Sequence, residues 1–267
     1  VVSQLRHRHL RRKEMTLEGI TQGVSMVPVK VNIYGPNGIG KSTWAAKAPK
    51  PVFVTTEEGL KYIDVPHFEL SPTYQDVMDK VTLLGKEKHP YKTVVLDSTD
   101  FLESLIHDAV CEDKNVEGIE SLGFGKGFTE SEERCRKLLR LLDRLQHVKK
   151  MNIILISHAA IRIYADPERE PYDRWELTTH KKISNLIRNW VDFNFFANYE
   201  VSTTSAGKGF NEKARAVSYG KRALFTQFSA AYDAKSRVAL PKKLPLEWDA
   251  FYNAYKEALN IKETKDE

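Results

Sequence analysis

The chain has 267 residues, with 41 lysines and arginines against 36 acids, a formal excess of +5, and two cysteines. That length allows one large α/β domain or two small ones with ample sequence for a buried core, and one main domain with loops and a tail is the expectation. Two cysteines without metal-ligand spacing, Cys111 and Cys135, argue against a disulfide framework. No apolar run approaches the roughly 18 residues of a membrane span and no signal-peptide series opens the chain, so a cytoplasmic protein without a membrane partner is predicted.

The charge sits mainly at the start. Residues 1–14 hold Arg6, Arg8, Arg11, Arg12 and Lys13 against Glu14, a balance of +4 that leaves +1 for the rest. Residues 1–26 read as a flexible basic extension, with Met15 or Met26 each able to begin the folded part; a nucleic-acid-binding arm or an oligomerisation segment is the alternative. The first strand is expected over 29–34, "VKVNIY", and "GPNGIGKST" follows it directly. Gly35 to Ser42 fits G-x-x-x-x-G-K-[ST], a phosphate-binding loop between a buried strand and a helix. Its glycines let backbone N–H groups face phosphate oxygens, Lys41 reaches the β/γ-phosphates, and Ser42 can ligate Mg²⁺. Gly35, Pro36, Asn37, Gly38, Ile39, Gly40, Lys41, Ser42 and Thr43 are therefore the expected ATP contacts.

Further strands are expected over 52–56, 93–97 and 152–157, with helices over 71–88 and 130–150. Short, nearly continuous apolar strands separated by helices predict a mostly parallel sheet covered on both faces. Leu138, Leu141, Leu142 and Leu145 form one stripe and read as core. The strand "TVVLD" ends in Asp97, the carboxylate a nucleotide-bound metal requires. After residue 190, "VDFNFFANYEVSTT", "ARAVSYG" and "RALFTQF" predict strands or hairpins, and 246–259 an amphipathic helix. Segments 111–130, 159–182 and 203–213 lack clean periodicity and read as long loops, which in a compact domain are often functional.

What surrounds Asp97 narrows the class. Ser98 stands where ABC-type ATPases carry Glu, no N-K-x-D is present for a GTPase, and basic residues in 159–182 alternate with acids, unlike an arginine-rich kinase lid. At these motifs the chain resembles the RecA-like ATPases. The short P-loop helix broken by Pro49 and Pro51, "TTEEGL", "ISH" and a late "AKSR" before "LP" look more narrowly like phage nucleotide-binding proteins with a RecA-like AAA-type domain. The resemblance spans roughly residues 28–250 and implies an ATPase domain over 27–245, followed by a C-terminal helix and charged tail over 246–267.

The resemblance implies that Glu57 activates the attacking water, that His158 senses the γ-phosphate, and that Lys235 and Arg237 complete the site of a neighbouring subunit. A plain reading of each remains: a helix-start acid, a strand-end histidine and a basic turn. It also implies a homo-oligomeric ring or filament that binds single-stranded DNA and promotes annealing in the host cytoplasm, with a single-strand-binding protein as a further candidate partner. The loop after Asp97 would then offer Lys114, Phe124, Lys126 and Phe128 to DNA. The loop after His158 would offer Arg162, Tyr164, Arg169, Tyr172, Arg174, Trp175, Lys181 and Lys182. Aromatics among cations suit stacked bases and phosphates, although the acids in both loops also fit an ordinary solvated surface. Residues 207–222, with five cations and one acid, form a denser basic patch. A nucleotide-dependent assembly module with little turnover, or a P-loop kinase of a small molecule, are the other readings of the same motifs.

Overall fold

The computed structural model describes Ile20, residues 22–23, 26–206 and 213–259, with backbone only for 201–206 and 213–219. Nearly all of the predicted basic extension and the centre of the 207–222 patch lie outside these residues. The strands in chain order are β1 (Lys30–Gly35), β2 (Pro51–Thr55), β3 (Thr93–Asp97), β4 (Asn152–Tyr164), β5 (Tyr172–Leu177), β6 (Phe193–Ala206), β7 (Lys213–Phe225), β8 (Lys235–Ser236) and β9 (Lys243–Pro245). The helices are α1 (Lys41–Ala45), α2 (Tyr74–Lys86), α3 (Thr99–Lys114), α4 (Lys126–Lys149), α5 (Lys181–Trp190) and α6 (Trp248–Ala258).

The expected mixed α/β architecture is present. The sheet runs β2-β3-β4-β1-β6-β7-β9, with β2, β3, β4, β1 and β6 mutually parallel and the β6–β7–β9 edge antiparallel. Alternate residues of each parallel strand enter opposite cores. On one face Val52, Leu96 and Leu155 meet Val77 of α2, Ile106 of α3, Leu138 and Leu142 of α4, and Ile183 of α5. On the other, Val31, Ile33 and Phe195 meet Trp44 of α1 and Trp248, Phe251 and Tyr255 of α6. Each large side chain so buried stabilises the fold by about 1.5–3 kcal/mol. The leucine stripe of α4 is core, and α6 belongs to the second core.

One polar chain crosses the buried sheet. Asn32 in β1 donates to Asn194 in β6 (2.8 Å), Ser157 in β4 donates to Asn32 (2.7 Å), and the Ser157 and Thr99 hydroxyls lie 2.7 Å apart. All four residues are buried, and each finds its partner in the adjacent strand or helix.

Two predicted loops are largely structured. Segment 159–182 extends β4 well past its apolar core and returns as β5, with Ile161 paired to Trp175 and Tyr164 to Tyr172. The period of two is present in Ile161 and Ile163, but both are exposed and their neighbours mix charges, which hides it. Segment 111–130 is mostly the end of α3, a 3₁₀ turn at Ile119–Leu122 and the start of α4. The helix α5 has no counterpart among the sequence expectations, although Ile183, Leu186, Ile187 and Trp190 give it a helical stripe facing the core.

Candidate nucleotide site

Sheet register assembles the site at the carboxyl ends of the parallel strands, where open α/β sheets place ligands. Gly35, the last residue of β1, pairs with His158, and Thr55 pairs with Asp97. The phosphate-binding loop leaves β1 between β4 and β6. A Cβ at Gly35 would overlap the Ala197 carbonyl of β6, and Gly40 has a φ of +108°, so both positions require glycine. The helix α1 that follows the loop has only five residues.

Lys41 is buried and its ammonium donates to the carbonyls of Gly35 (2.9 Å) and Pro36 (3.1 Å). Burial lowers its pKa from the ordinary lysine value, opposed by the charges of Asp97, Asp100 and Glu57. Ser42 donates its hydroxyl to Asp97 Oδ2 at 2.7 Å. Burial raises the pKa of Asp97, against the pull of that hydrogen bond. The paired hydroxyl and carboxylate are hard oxygen ligands suited to Mg²⁺. Among the described residues no group of three or more His, Cys, Asp or Glu side chains could hold a metal ion, so a metal here needs oxygens from phosphate and water as well.

Glu57 follows β2 and is held by its neighbour. The Thr56 N–H donates to Asp97 O at 2.8 Å, its hydroxyl donates to Ser98 O at 2.8 Å, and that hydroxyl accepts the Ser98 N–H at 2.9 Å. These bonds fix Glu57 beside Asp97. Glu58 instead pairs with Lys61 at 2.5 Å on the outer surface. Glu57 Oε1 lies 3.8 Å from His158 Nε2, and both line a cleft of about 390 Å³ with Gly38, Gly40, Lys41 and Asp97. A larger concavity of about 870 Å³ lies away from it, against α2 and α3, and lacks the phosphate-binding loop.

Asp100, in the first turn of α3, orients the histidine and escaped the sequence reading. Its Oδ2 accepts the His158 backbone N–H at 2.7 Å and lies 3.2 Å from Nδ1, while Oδ1 accepts the Thr178 hydroxyl. The available signal was "DSTD": an acid three residues beyond Asp97, in the first turn of the helix that follows. The hydrogen bond to Asp100 raises the His158 pKa despite partial burial. The protonated pair thus stabilises the fold fully below the ordinary histidine value, and that stability fades as pH rises through the raised folded value. Asp100→Asn should lower the His158 pKa and flatten this slope, read by NMR titration and by urea unfolding across pH 5–9; an unshifted titration would count against the pairing.

The other predicted residues divide. Lys235 and Arg237 lie at the amino end of β6, since Lys235 pairs with Asn194, and hence at the end of the sheet opposite the phosphate loop. Lys235 donates to Arg188 O at 2.5 Å, and Arg237, 59% exposed, pairs with Asp192 at 3.1 Å. Neither can reach its own chain's cleft. The two proposed DNA segments do meet: Lys182 donates to the Thr129 hydroxyl at 2.6 Å, and Phe128 stacks on His180 at 4.1 Å. Phe124 is fully exposed, Lys126, Arg169 and Lys181 are also exposed, and Lys114 pairs with Glu130.

Arg174 is not a surface residue. It is 3% exposed, lies 3.5 Å from Asp233, and sits over the rings of Tyr164 and Phe228. Trp175 packs half-buried against Phe196, and Arg162 donates to Thr178 O at 2.6 Å. Tyr164 and Tyr172 face each other across the hairpin, their rings 5.6 Å apart. Sequence alone could not foresee this because Asp233, the partner of Arg174, lies far along the chain.

Comparison with known proteins gives the same frame. A family model described as an AAA domain, AAA_24, matches residues 27–238. The chain is also 28% identical over 139 residues to the SPbeta prophage-derived uncharacterized protein YorG of Bacillus subtilis (strain 168), a match covering 49% of this chain and 41% of that relative. The match thus spans about two fifths of the relative's length. Among the described residues no helix is long and apolar enough to cross a membrane.

Proposed function

From the premise that the chain belongs to the AAA_24 family of AAA domains, we propose that it binds ATP with Mg²⁺ and hydrolyses it in a homo-oligomer acting on single-stranded DNA in phage recombination. The observation that carries the nucleotide reading is the convergence of Lys41 and Ser42 after β1, Glu57 after β2, Asp97 at the end of β3 and His158 within β4 onto one cleft. Lys41 holds the terminal phosphates. Ser42 and Asp97 hold the Mg²⁺, which supplies charge neutralisation at the phosphate oxygens. Glu57 accepts a proton from the attacking water, and His158, kept in place by Asp100, donates to the oxygen that gains charge.

The DNA reading draws support from the two segments that meet at Lys182 and Phe128, with Phe124 and Lys126 exposed beside them. The likeness to a prophage-derived protein supports the phage setting. The exposure of Arg237 at the far strand ends supports assembly, since from there its guanidinium would serve a neighbouring molecule's nucleotide and not its own; paired with Asp192, it also fits an ordinary basic turn.

Phosphate release measured with and without single-stranded DNA tests the whole reading. Turnover should rise with DNA, DNA affinity should fall steeply with added salt, and Phe124→Ala should weaken binding by about 1–3 kcal/mol. Binding of ATP without turnover in any condition would leave a nucleotide-gated assembly module. Arg237→Ala should turn over poorly alone yet recover part of its activity when mixed with Lys41→Ala subunits, because a mixed interface holds one intact site. No recovery despite shown co-assembly would remove the shared-site element.

A further inference from the structure

Building on the nucleotide reading, we propose that the nucleoside half of the ligand lies on the β7–β9 flank of the phosphate loop, gripped by Arg222 and backed by Leu246. Strand β1 divides the sheet into two flanks. The β2–β3–β4 flank carries Glu57, Asp97 and His158, the groups suited to the terminal phosphate and its metal. A nucleotide whose phosphate tail points that way must leave the loop toward β6, β7 and β9.

A cation and an apolar side chain already wait there. Arg222, opposite Tyr199 in the β6–β7 pairing, donates Nη1 to the Ile39 carbonyl at 3.2 Å. A Cβ placed on Gly40 would meet Arg222 Nη1 at 2.6 Å and Leu246 Cδ2 at 3.8 Å, so both residues reach the middle of the loop from outside it. A guanidinium has five N–H donors, and one bond to Ile39 leaves it the capacity to grip a phosphate oxygen next to the ribose.

Beside this contact opens a concavity of about 550 Å³, lined by Lys221, Arg222, Lys243, Leu244, Pro245 and Leu246, and by the acids Glu247 and Glu200, the latter paired with Lys243 at 3.1 Å. That volume lies within the roughly 300–1,000 Å³ range of small-molecule sites, and the apolar wall of Leu244, Pro245 and Leu246 beside a rim on which cations outnumber acids suits a base joined to a phosphate. A second concavity, about 680 Å³, shares Glu57, Gly59 and Ile63 with the cleft but is less suitable. It lies on the acidic flank, where Glu57, Glu58, Asp64 and Glu69 outnumber Lys61 and His67. A base seated there would turn the phosphate tail away from Asp97 and His158.

Titration calorimetry with Mg²⁺-ATP and with inorganic tripolyphosphate separates the parts. Arg222→Ala should weaken both ligands about tenfold, whereas Leu246→Asn should weaken ATP and leave tripolyphosphate unchanged. Because Leu246 also touches the second core, each variant is checked by thermal unfolding, and the wild-type protein is labelled with an azido-adenine analogue of ATP. Label in residues 243–247 is the expected result; label confined to residues 58–70 overturns the proposal. If Lys41→Ala lowers ATP affinity while both variants bind normally, only this inference fails. If Lys41→Ala also binds normally, the nucleotide reading itself fails.

Discussion

Lys41→Ala will weaken Mg²⁺-ATP binding about a hundredfold or more while the protein stays folded. Hydrogen bonds to charged groups contribute about 1.5–3 kcal/mol each, and on the proposed reading the lysine ammonium would bond two phosphate groups, so the loss should exceed a single bond. The fold tolerates the change because Lys41 is a buried cation whose burial lowers its own pKa, and removing it relieves that desolvation. The Gly35 and Pro36 carbonyls that it now caps can be reached by water from the open cleft. Calorimetry reads the affinity and thermal unfolding the stability. A folded variant with unchanged affinity would remove the phosphate-loop assignment.

Glu57→Gln should leave ATP binding near wild type and slow hydrolysis by about 10²–10⁴-fold, the usual contribution of a positioned general base. The substitution keeps shape and hydrogen-bonding capacity but removes the proton acceptor beside His158. Glu58→Gln is the control: its carboxylate is exposed and tied to Lys61, so turnover should be unaffected. Phosphate release under saturating ATP measures both. Normal hydrolysis by Glu57→Gln together with loss in Glu58→Gln would move the base by one residue.

The parallel core was legible because its signals are local. Each buried strand is a run of apolar residues, and the phosphate loop and Asp97 lie within or directly after such runs. Glu57 and His158 were legible only through resemblance, since their closeness depends on the pairing of β2 with β3 and of β3 with β4. Asp100 was missed because its role exists only after α3 turns it toward β4. Arg174 and Trp175 misled for a related reason. A basic residue beside an aromatic one reads as a surface for nucleic acid, and no local signal reveals that Asp233 and Phe196 draw the pair inward. The β4–β5 hairpin was hidden by charge alternation at exposed positions, where burial no longer dictates sequence.

The buried polar chain from Asn194 through Asn32 and Ser157 to Thr99 acts as a register lock. Continuous apolar strands discriminate weakly between correct and slipped pairings, because either alignment buries similar surface. A one-residue slip of β1 would turn Asn32 toward the opposite core and strand it and Ser157 without their partners, at about 1–3 kcal/mol for each unsatisfied group. The penalty falls on the strand that leads into the phosphate loop and on the strand that carries His158. Geometry at the cleft is therefore enforced from the middle of the sheet, by amides and hydroxyls that no ligand touches.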